Sequence, residues 1–130
     1  VGLYKSQVSE QYVPYIMPQE NGNKSDVRWL TLNNENGLGL YIAGKQPLEF
    51  SAAHYTAADL YAAHHTYELQ PRPEVILNLD YQQMGLGGAS CGPPTLPQYV
   101  IMPGEFSFAM RLRPFTAAEP MPDKVTGVSW

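Results

Sequence analysis

Ser90 lies in a stretch that matches a nucleophile motif of serine hydrolases. Residues 88–92 read Gly-Ala-Ser-Cys-Gly, the G-x-S-x-G pattern in which a sharp strand-to-helix turn presents the serine to a histidine. In that fold the histidine follows the serine, whereas the histidines of this chain precede it: His54, His64 and His65. Pro93 and Pro94 also block the helix that the motif requires. The motif therefore does not predict a serine hydrolase.

Three glycines just before Ser90 suggest a phosphate-binding loop: Gly85, Gly87 and Gly88. The G-x-G-x-x-G spacing, however, places Ser90 where the third glycine belongs, and no helix follows to offer its positive end to an anion. We predict a tight turn here, in which the backbone approaches a neighbouring group closely.

The histidines offer two further kinds of site. His64, His65 and Glu68 are spaced to gather around a metal ion, but no second cluster of ligands accompanies them, so an exposed helix end is expected instead. His54 continues the inward parity of Leu48 and Ala52, which favours a hydrogen-bonded core imidazole over a catalytic group. The sequence predicts no metal site.

Carboxylates alone do not identify a sugar-cleaving site. A retaining glycosidase needs two of them about 5 Å apart, and no recognisable pair appears among the candidates Glu20, Glu35, Glu49, Glu68, Glu74 and Asp80. Asp80 follows the apolar segment Val75 to Leu79 and leads into the glycine-rich loop, so we predict that it anchors that loop. Aromatic platforms for a sugar are available at Tyr12, Tyr15, Trp29, Tyr81 and Tyr99.

The composition narrows the class of protein. A chain of 130 residues with 44% hydrophobic content suffices for one domain, and its net charge of -4 with scattered cations gives no face for nucleic acid. No apolar run approaches the length of a membrane span, and the single cysteine excludes an internal disulfide. Both ends read as those of a trimmed segment, and the compartment, bacterial cytoplasm or periplasm, stays open.

Twelve Pro and eleven Gly separate short runs of Val, Ile, Leu, Tyr and Phe, which is typical of an all-β fold. Alternation predicts a strand over Glu105 to Arg113, with Phe106, Phe108, Met110 and Leu112 inward. The segments Leu38 to Ile42 and Leu48 to Ala52 are expected to form a hairpin around Gly44 to Pro47. Val27 to Leu32 and Val75 to Asp80 are candidate central strands, and Asn33 to Gly37 is rich in turn formers.

One short helix is expected near residues 57–64. Thr56 can cap it, Asp59 completes a capping box, and alanines favour helix. After residue 115 the chain becomes rich in Ala, Glu and Pro, so residues 116–130 are predicted to form an extended tail behind a domain of residues 1–115.

Several ordered segments resemble the C-terminal domain of family 2 β-galactosidases. They are YVPYIMPQENGNKSDVRW (residues 12–29), FSAAHYT (50–56), LNLDYQQMGLGG (77–88), LPQY (96–99) and RLRPF (111–115). The resemblance covers nearly the whole chain. It implies an antiparallel β-sandwich similar to galactose mutarotase, of which this chain is about the second half.

The resemblance also implies where chemistry takes place. In that family the catalytic Glu pair belongs to an upstream (β/α)8 barrel, so no catalytic residue and no cofactor is expected in this chain. The loop Gly85 to Pro94 would reach the mouth of the barrel and shape the acceptor side of its active site. Substrate contacts are then expected from four residues, with Glu20 and Asp80 as anchors of the loop: Asn21, Gly88, Ser90 and Cys91.

One departure from the family pattern affects this expectation. The family follows its Gly-Gly pair with acidic residues, a serine and a tryptophan that forms an aromatic wall beside the sugar. Here residues 89–92 read Ala-Ser-Cys-Gly, so the tryptophan is missing. Since glycine offers only backbone, a stacking role of this loop is in doubt.

The expected partners are the barrel and other domains of a parent enzyme and a galactoside substrate, without nucleic acid or membrane; self-association is left open. Two alternatives remain. A stand-alone carbohydrate-binding module would need an exposed aromatic patch. A mutarotase-like enzyme would use His54 with a carboxylate as acid and base.

Overall fold

A computed structural model of the chain describes residues 2–84, 88–116 and 118–119. Its strands are β1 (Lys24–Asn33), β2 (Leu38–Ala53), β3 (Ile76–Asp80) and β4 (Met110–Thr116). One α-helix, α1 (Ala57–Ala62), follows β2, and three single 3-10 turns complete the described elements: Val8–Glu10, Thr66–Glu68 and Pro97–Tyr99. The prediction of an all-β fold with one short helix is confirmed.

The strands form one sheet in which β2 lies between β1 and β3, and β4 also pairs with β2. The β4 pairing is antiparallel, with a register that runs from Leu38 opposite Thr116 to Gly44 opposite Met110. The described strands thus form a single sheet, and the second layer of a sandwich stays an expectation. No helix in residues 2–84, 88–116 and 118–119 is long and apolar enough to cross a membrane.

A tight turn at the predicted position joins β1 to β2. The Gly37 N–H donates to the carbonyl of Asn34 at 3.1 Å, and the Asn34 side chain accepts from the Leu38 N–H at 3.0 Å. Gly37 has φ 77°, a conformation that glycine adopts without the penalty of a side chain. The turn formers of Asn33 to Gly37 therefore act as their types indicate.

The predicted hairpin around Gly44 to Pro47 is wrong, because β2 continues through these residues as one strand. The Lys45 N–H donates to the carbonyl of Ala109 at 2.9 Å, and Gln46 Nε2 donates to the carbonyl of Ser107 at 2.8 Å. Partners distant in sequence hold the segment, so Gly44 and Pro47 do not end the strand.

The strand predicted over Glu105 to Arg113 is displaced toward the C-terminus, since β4 begins only at Met110. Phe106 and Leu112, expected inside, are 55% and 51% exposed, whereas Phe115 is buried. The register explains the change of face, because Phe115 lies opposite Gly39 and its ring covers that glycine.

The two candidate central strands are present but are not central in the described sheet. Val27 to Leu32 falls within β1, and Val75 to Asp80 corresponds to β3, each of which has β2 as its neighbour in the strand order. Their apolar character on both parities is therefore not explained by the described pairing.

The chain divides into two compact units, Val1–Lys24 with Phe50–Leu79 and Ser25–Glu49 with Asp80–Trp130. In the second unit the buried side chains are Leu30, Ile42, Leu48 and Phe115. Leu30 and Ile42 come from β1 and β2, so this core is built on the sheet.

In the first unit the helix supplies the core. Leu60 and Ala63 pack with Leu69, and Tyr12 and Tyr55 cover that cluster. The predicted capping box is confirmed: the Asp59 N–H donates to Thr56 Oγ1 at 3.1 Å and the Thr56 N–H donates to Asp59 Oδ2 at 2.8 Å. The two bonds satisfy amides that the first turn of a helix leaves without partners.

The predicted tail lies almost entirely outside the described residues, which include only Thr116, Ala118 and Glu119 of it. Thr116 ends β4, and its N–H donates to Glu119 Oε1 at 3.2 Å. Arg113 donates a further hydrogen bond to the Glu119 carboxylate, so this carboxylate joins the end of β4 to the residues that follow.

Candidate functional site

Asn21 closes a loop in the first unit with hydrogen bonds to backbone only. Its Oδ1 accepts from the Val13 N–H at 3.0 Å, and its Nδ2 donates to the carbonyls of Val13 at 3.3 Å and Gln19 at 3.0 Å. Both halves of the amide are thus engaged in positioning the chain. The expected direct contact of Asn21 with substrate stays a prediction, and its observed contacts are structural.

Gly22 continues this closure. Its φ is 78°, and a Cβ there would lie 2.9 Å from the carbonyl oxygen of Gln11, so a side chain would be strained and crowded. Lys24 Nζ donates to the Gly22 carbonyl at 2.6 Å and lies 5.9 Å from the centre of the Phe50 ring. Burial lowers the pKa of the Lys24 ammonium.

The closed loop borders a recess of about 80 Å³ that belongs to the first unit. Its lining residues come from the N-terminal segment, the end of β2, the helix and β3: Tyr12, Glu20, Asn21, Ser51, Ala53, Tyr55, Ala57, Leu60, Ile76 and Asn78. Of the residues singled out from sequence, the structure brings Tyr12, Glu20 and Asn21 to one place.

Tyr12 and Tyr55 form the aromatic wall of the recess. Their ring centres are 5.2 Å apart and the rings are inclined by 60°, a tilted arrangement at a distance typical of interacting aromatic pairs. Burial, together with the neighbouring Tyr55, raises the pKa of the Tyr12 hydroxyl. This hydroxyl is inaccessible and has no hydrogen-bond partner among the described residues.

Another part of the lining is polar. Asn78 Nδ2, on β3, donates to Ser51 Oγ, on β2, at 3.0 Å. Glu20 is an exposed residue and is the carboxylate in this lining. An aromatic pair together with amide, hydroxyl and carboxylate groups is a combination that suits a polyhydroxylated ligand.

The dimensions of the recess limit what it can do by itself. Small-molecule sites enclose about 300 to 1,000 Å³, several times the 80 Å³ found here. Retaining glycoside hydrolysis also needs a second carboxylate about 5 Å from the first, whereas Glu20 is the one carboxylate among the described residues of the lining. Among the described residues, the recess therefore offers aromatic and polar contacts together with a single carboxylate.

The other predicted contact residues lie in the second unit. Gly88, Ser90 and Cys91 are exposed, and the Cys91 thiol is free. Next to Gly88, Ala89 has φ 64°, and its N–H donates to the carbonyl of Pro93 at 3.3 Å, which fits the predicted tight turn. A Cβ on Gly88 would lie 3.0 Å from Thr95 Oγ1, so the backbone does approach a neighbour closely.

Part of the predicted loop is outside the described residues, namely Gly85, Leu86 and Gly87. Asp80, its predicted anchor, is the half-buried last residue of β3. The roles of Asp80 and Glu20 as loop anchors stay predictions.

His64, His65 and Glu68 do come together, but through their own hydrogen bonds. His65 Nδ1 lies 3.0 Å from Glu68 Oε1, and the His64 N–H donates to Glu68 Oε2 at 2.8 Å. The His65 hydrogen bond is the main reason that the pKa of the Glu68 carboxyl is lowered. No group of three metal-binding side chains occurs within the described part of the chain.

His54 has the predicted hydrogen bonds, but it is half-buried just beyond the end of β2 and is not a core residue. Its Nδ1 lies 2.9 Å from the Arg72 carbonyl and 3.2 Å from the Glu74 carbonyl. Because carbonyl oxygens only accept, Nδ1 must carry the proton and donate to them. These contacts give His54 a structural role that joins the end of β2 to the segment before β3.

Sequence reasoning did not identify Ser51, Tyr55 and Asn78 as neighbours of Tyr12. All three lie inside or beside segments that carried the family resemblance, which was the available signal. Their side chains meet only because β2 and β3 are adjacent in the sheet and the helix returns the chain toward Tyr12.

Comparison with known proteins places these observations in a wider context. Residues 1–112 match the family described as Beta galactosidase small chain. A β-galactosidase of Priestia megaterium is 41% identical over 102 residues, which cover 78% of this chain and 10% of the relative. Those of Actinobacillus pleuropneumoniae and Arthrobacter sp. are 33% and 35% identical over 86% and 87% of this chain, and 11% and 12% of theirs. The chain thus spans about a tenth of the length of these curated relatives.

Proposed function

The chain belongs to the β-galactosidase small-chain family, and we propose that it is a non-catalytic C-terminal domain of a family 2 β-galactosidase. In this proposal the parent enzyme is a retaining hydrolase of terminal β-D-galactosides, and this domain shapes the acceptor side of its active site. The identity of 41% over 78% of the chain supports the parentage.

The recess carries the non-catalytic part of the proposal. It presents two tyrosines and several polar groups, which can touch a sugar, but one carboxylate and about 80 Å³ of space. In this proposal the catalytic carboxylate pair comes from elsewhere in the parent. Asn21, Gly88, Ser90 and Cys91 are proposed as the substrate-facing residues of this domain, with no cofactor required from it.

Two enzyme preparations test this function: the 130-residue chain, and the full-length product of the reading frame that contains it. We expect the full-length protein to hydrolyse o-nitrophenyl β-D-galactoside. The chain alone should give no hydrolysis above the uncatalysed rate in buffer. Turnover by the chain alone, lost in a His54→Ala variant, would instead identify it as an enzyme in its own right.

The acceptor-side role needs a separate measurement. Ser90→Ala and Cys91→Ala in the full-length enzyme should change the ratio of transfer to hydrolysis with a sugar acceptor, while hydrolysis of the nitrophenyl substrate stays near that of the wild type. Glu105→Gln, at another exposed residue of the second unit, serves as the control. Equal ratios in all variants would contradict this role. Millimolar binding of galactose by the chain alone would favour the carbohydrate-binding module.

A further inference from the structure

The loop from Val13 to Pro18, called the apolar loop below, exposes its hydrophobic side chains to an unusual degree. Ile16 is 95% exposed, Met17 58% and Tyr15 44%. Its sequence, Val-Pro-Tyr-Ile-Met-Pro, contains no charged residue. A contiguous exposed group of this kind marks an interaction surface, whereas single exposed apolar residues are ordinary.

The apolar loop is also held in shape before any partner binds. Asn21 closes its base with three hydrogen bonds to the backbone of Val13 and Gln19. Pro14 and Pro18 restrict the backbone near its two ends. A loop ordered in advance loses less conformational entropy on binding, so this construction suits docking.

The length of the relatives indicates the partner. Among the described residues, seventeen large apolar side chains are exposed, which leaves apolar surface available for a contact. The curated relatives are about ten times as long as the chain, which supplies a partner of sufficient size. Ile16 projects outward at 95% exposure, so it fits a concave surface better than a second copy of the same loop.

We propose that the apolar loop docks into an apolar recess on the remainder of the parent β-galactosidase, with Ile16 as its central anchor. This inference rests on the proposed function, because it takes the partner from the same enzyme. An uncharged loop gives no attraction for an ionic partner, and Met and aromatic side chains such as Met17 and Tyr15 are enriched at protein interfaces.

Oxidation of Met17 in the full-length enzyme tests the docking directly. Hydrogen peroxide converts exposed methionine to the sulfoxide, and mass spectrometry measures the rate for the peptide that contains Met17. We expect oxidation at least about tenfold slower in the native enzyme than in the same enzyme unfolded in urea, because docking covers a side chain that would otherwise be open to reagent. Equal rates would overturn the proposal.

Variants of the same enzyme identify the anchor. Ile16→Asp should raise the oxidation rate of Met17 to within about threefold of its value in the unfolded enzyme. Ile16→Leu should leave Met17 protected from oxidation. Tyr61→Asp is the matched control, since Tyr61 is 88% exposed in the same unit. Loss of protection in the Tyr61 variant as well would overturn the specific role of Ile16.

Two further measurements distinguish docking on the parent enzyme from self-association and from a failure of the proposed function. Protection of Met17 that appears only as enzyme concentration rises would show a second copy as the partner and would overturn the proposal. Hydrolysis of o-nitrophenyl β-D-galactoside is scored on the same preparation. Absence of hydrolysis with Met17 protected would count against the proposed function alone, and hydrolysis with Met17 reactive would count against docking alone.

Discussion

Arg72 holds Asp59 through two parallel hydrogen bonds, from Nε to Oδ2 at 2.6 Å and from Nη2 to Oδ1 at 2.8 Å. The same carboxylate accepts from the Thr56 N–H and so also caps the helix. The pKa of the Asp59 carboxyl is well below its ordinary value of 3.8, first because of the Arg72 hydrogen bonds and then because of those with Thr56.

This arrangement predicts an acid-sensitive contribution to stability. Because the folded-state pKa is lowered, the contribution is complete above the ordinary pKa of 3.8 and is lost as the pH falls below it toward the folded value. Thermal unfolding at a series of pH values should give the wild type a higher Tm than Asp59→Asn at neutral pH. The two Tm values should converge in acid. The Tm difference between the wild type and Glu105→Gln should not change with pH in this way. A Tm difference between the wild type and Asp59→Asn that persists in strong acid would contradict the prediction.

Gly39 is expected to be intolerant of any side chain. A Cβ there would overlap the Phe115 ring and would lie 3.0 Å from the carbonyl oxygen of Leu32. Gly39→Ala should therefore lower the free energy of unfolding by about 2 kcal/mol, the usual cost of overpacking. Urea unfolding measures the loss.

Gly92 supplies the control for that substitution, because a Cβ there meets nothing within 4 Å. Gly92→Ala should change stability by less than about 0.5 kcal/mol. The double variant Gly39→Ala with Phe115→Leu should lose less free energy of unfolding than the sum of the losses in the two single variants. The smaller leucine side chain relieves the overlap with the methyl group added at position 39. Additive losses would show that the Phe115 contact is not the cause.

Asn21→Ala should loosen the apolar loop. It removes three hydrogen bonds to backbone, each of which contributes about 1 kcal/mol or less at an exposed site. The free energy of unfolding should therefore fall by about 1 to 2 kcal/mol. Hydrogen exchange should show the Val13 amide, whose N–H donates to Asn21 Oδ1, exchanging faster. Asn21→Asp keeps that acceptor but sets a carboxylate oxygen against the carbonyls of Val13 and Gln19, so it should cost at least as much stability as Asn21→Ala. Gln82→Ala, at an exposed site, is the control, and an unchanged Val13 amide would refute the clamp.

Tyr12→Phe should leave stability unchanged or raise it by up to about 1 kcal/mol, because it removes a buried hydroxyl that has no partner among the described residues. Tyr12→Ala should instead cost about 2 kcal/mol, since it also removes the ring that packs on Tyr55 and the helix cluster. Urea unfolding distinguishes the two. A clear loss in Tyr12→Phe would mean that the hydroxyl has a bound water or ligand in solution.

Local chemistry made part of this fold predictable. Thr56 and Asp59 determine the helix start through a capping box that lies within four residues, and Asn34 and Gly37 build their turn in the same local way. Such features need no information about distant partners, which explains why the sequence was sufficient for them.

Non-local pairing was not predictable in the same manner. Gly44 and Pro47 suggested a turn, but Ala109 and Ser107 hold that segment extended, and nothing in the local pattern announces those partners. The face of β4 depended likewise on Gly39 lying opposite Phe115. In the site, Asn21 was found by resemblance, while its contacts with Val13 and Gln19 required coordinates because side-chain hydrogen bonds do not show in spacing.

The outward-facing apolar side chains have a consequence for the solubility of the chain. Seventeen large ones are exposed among the described residues, and exposed apolar surface favours aggregation. If the proposed function holds, the 130-residue chain made alone should therefore aggregate at a lower concentration than the full-length enzyme, in which docking covers part of this surface.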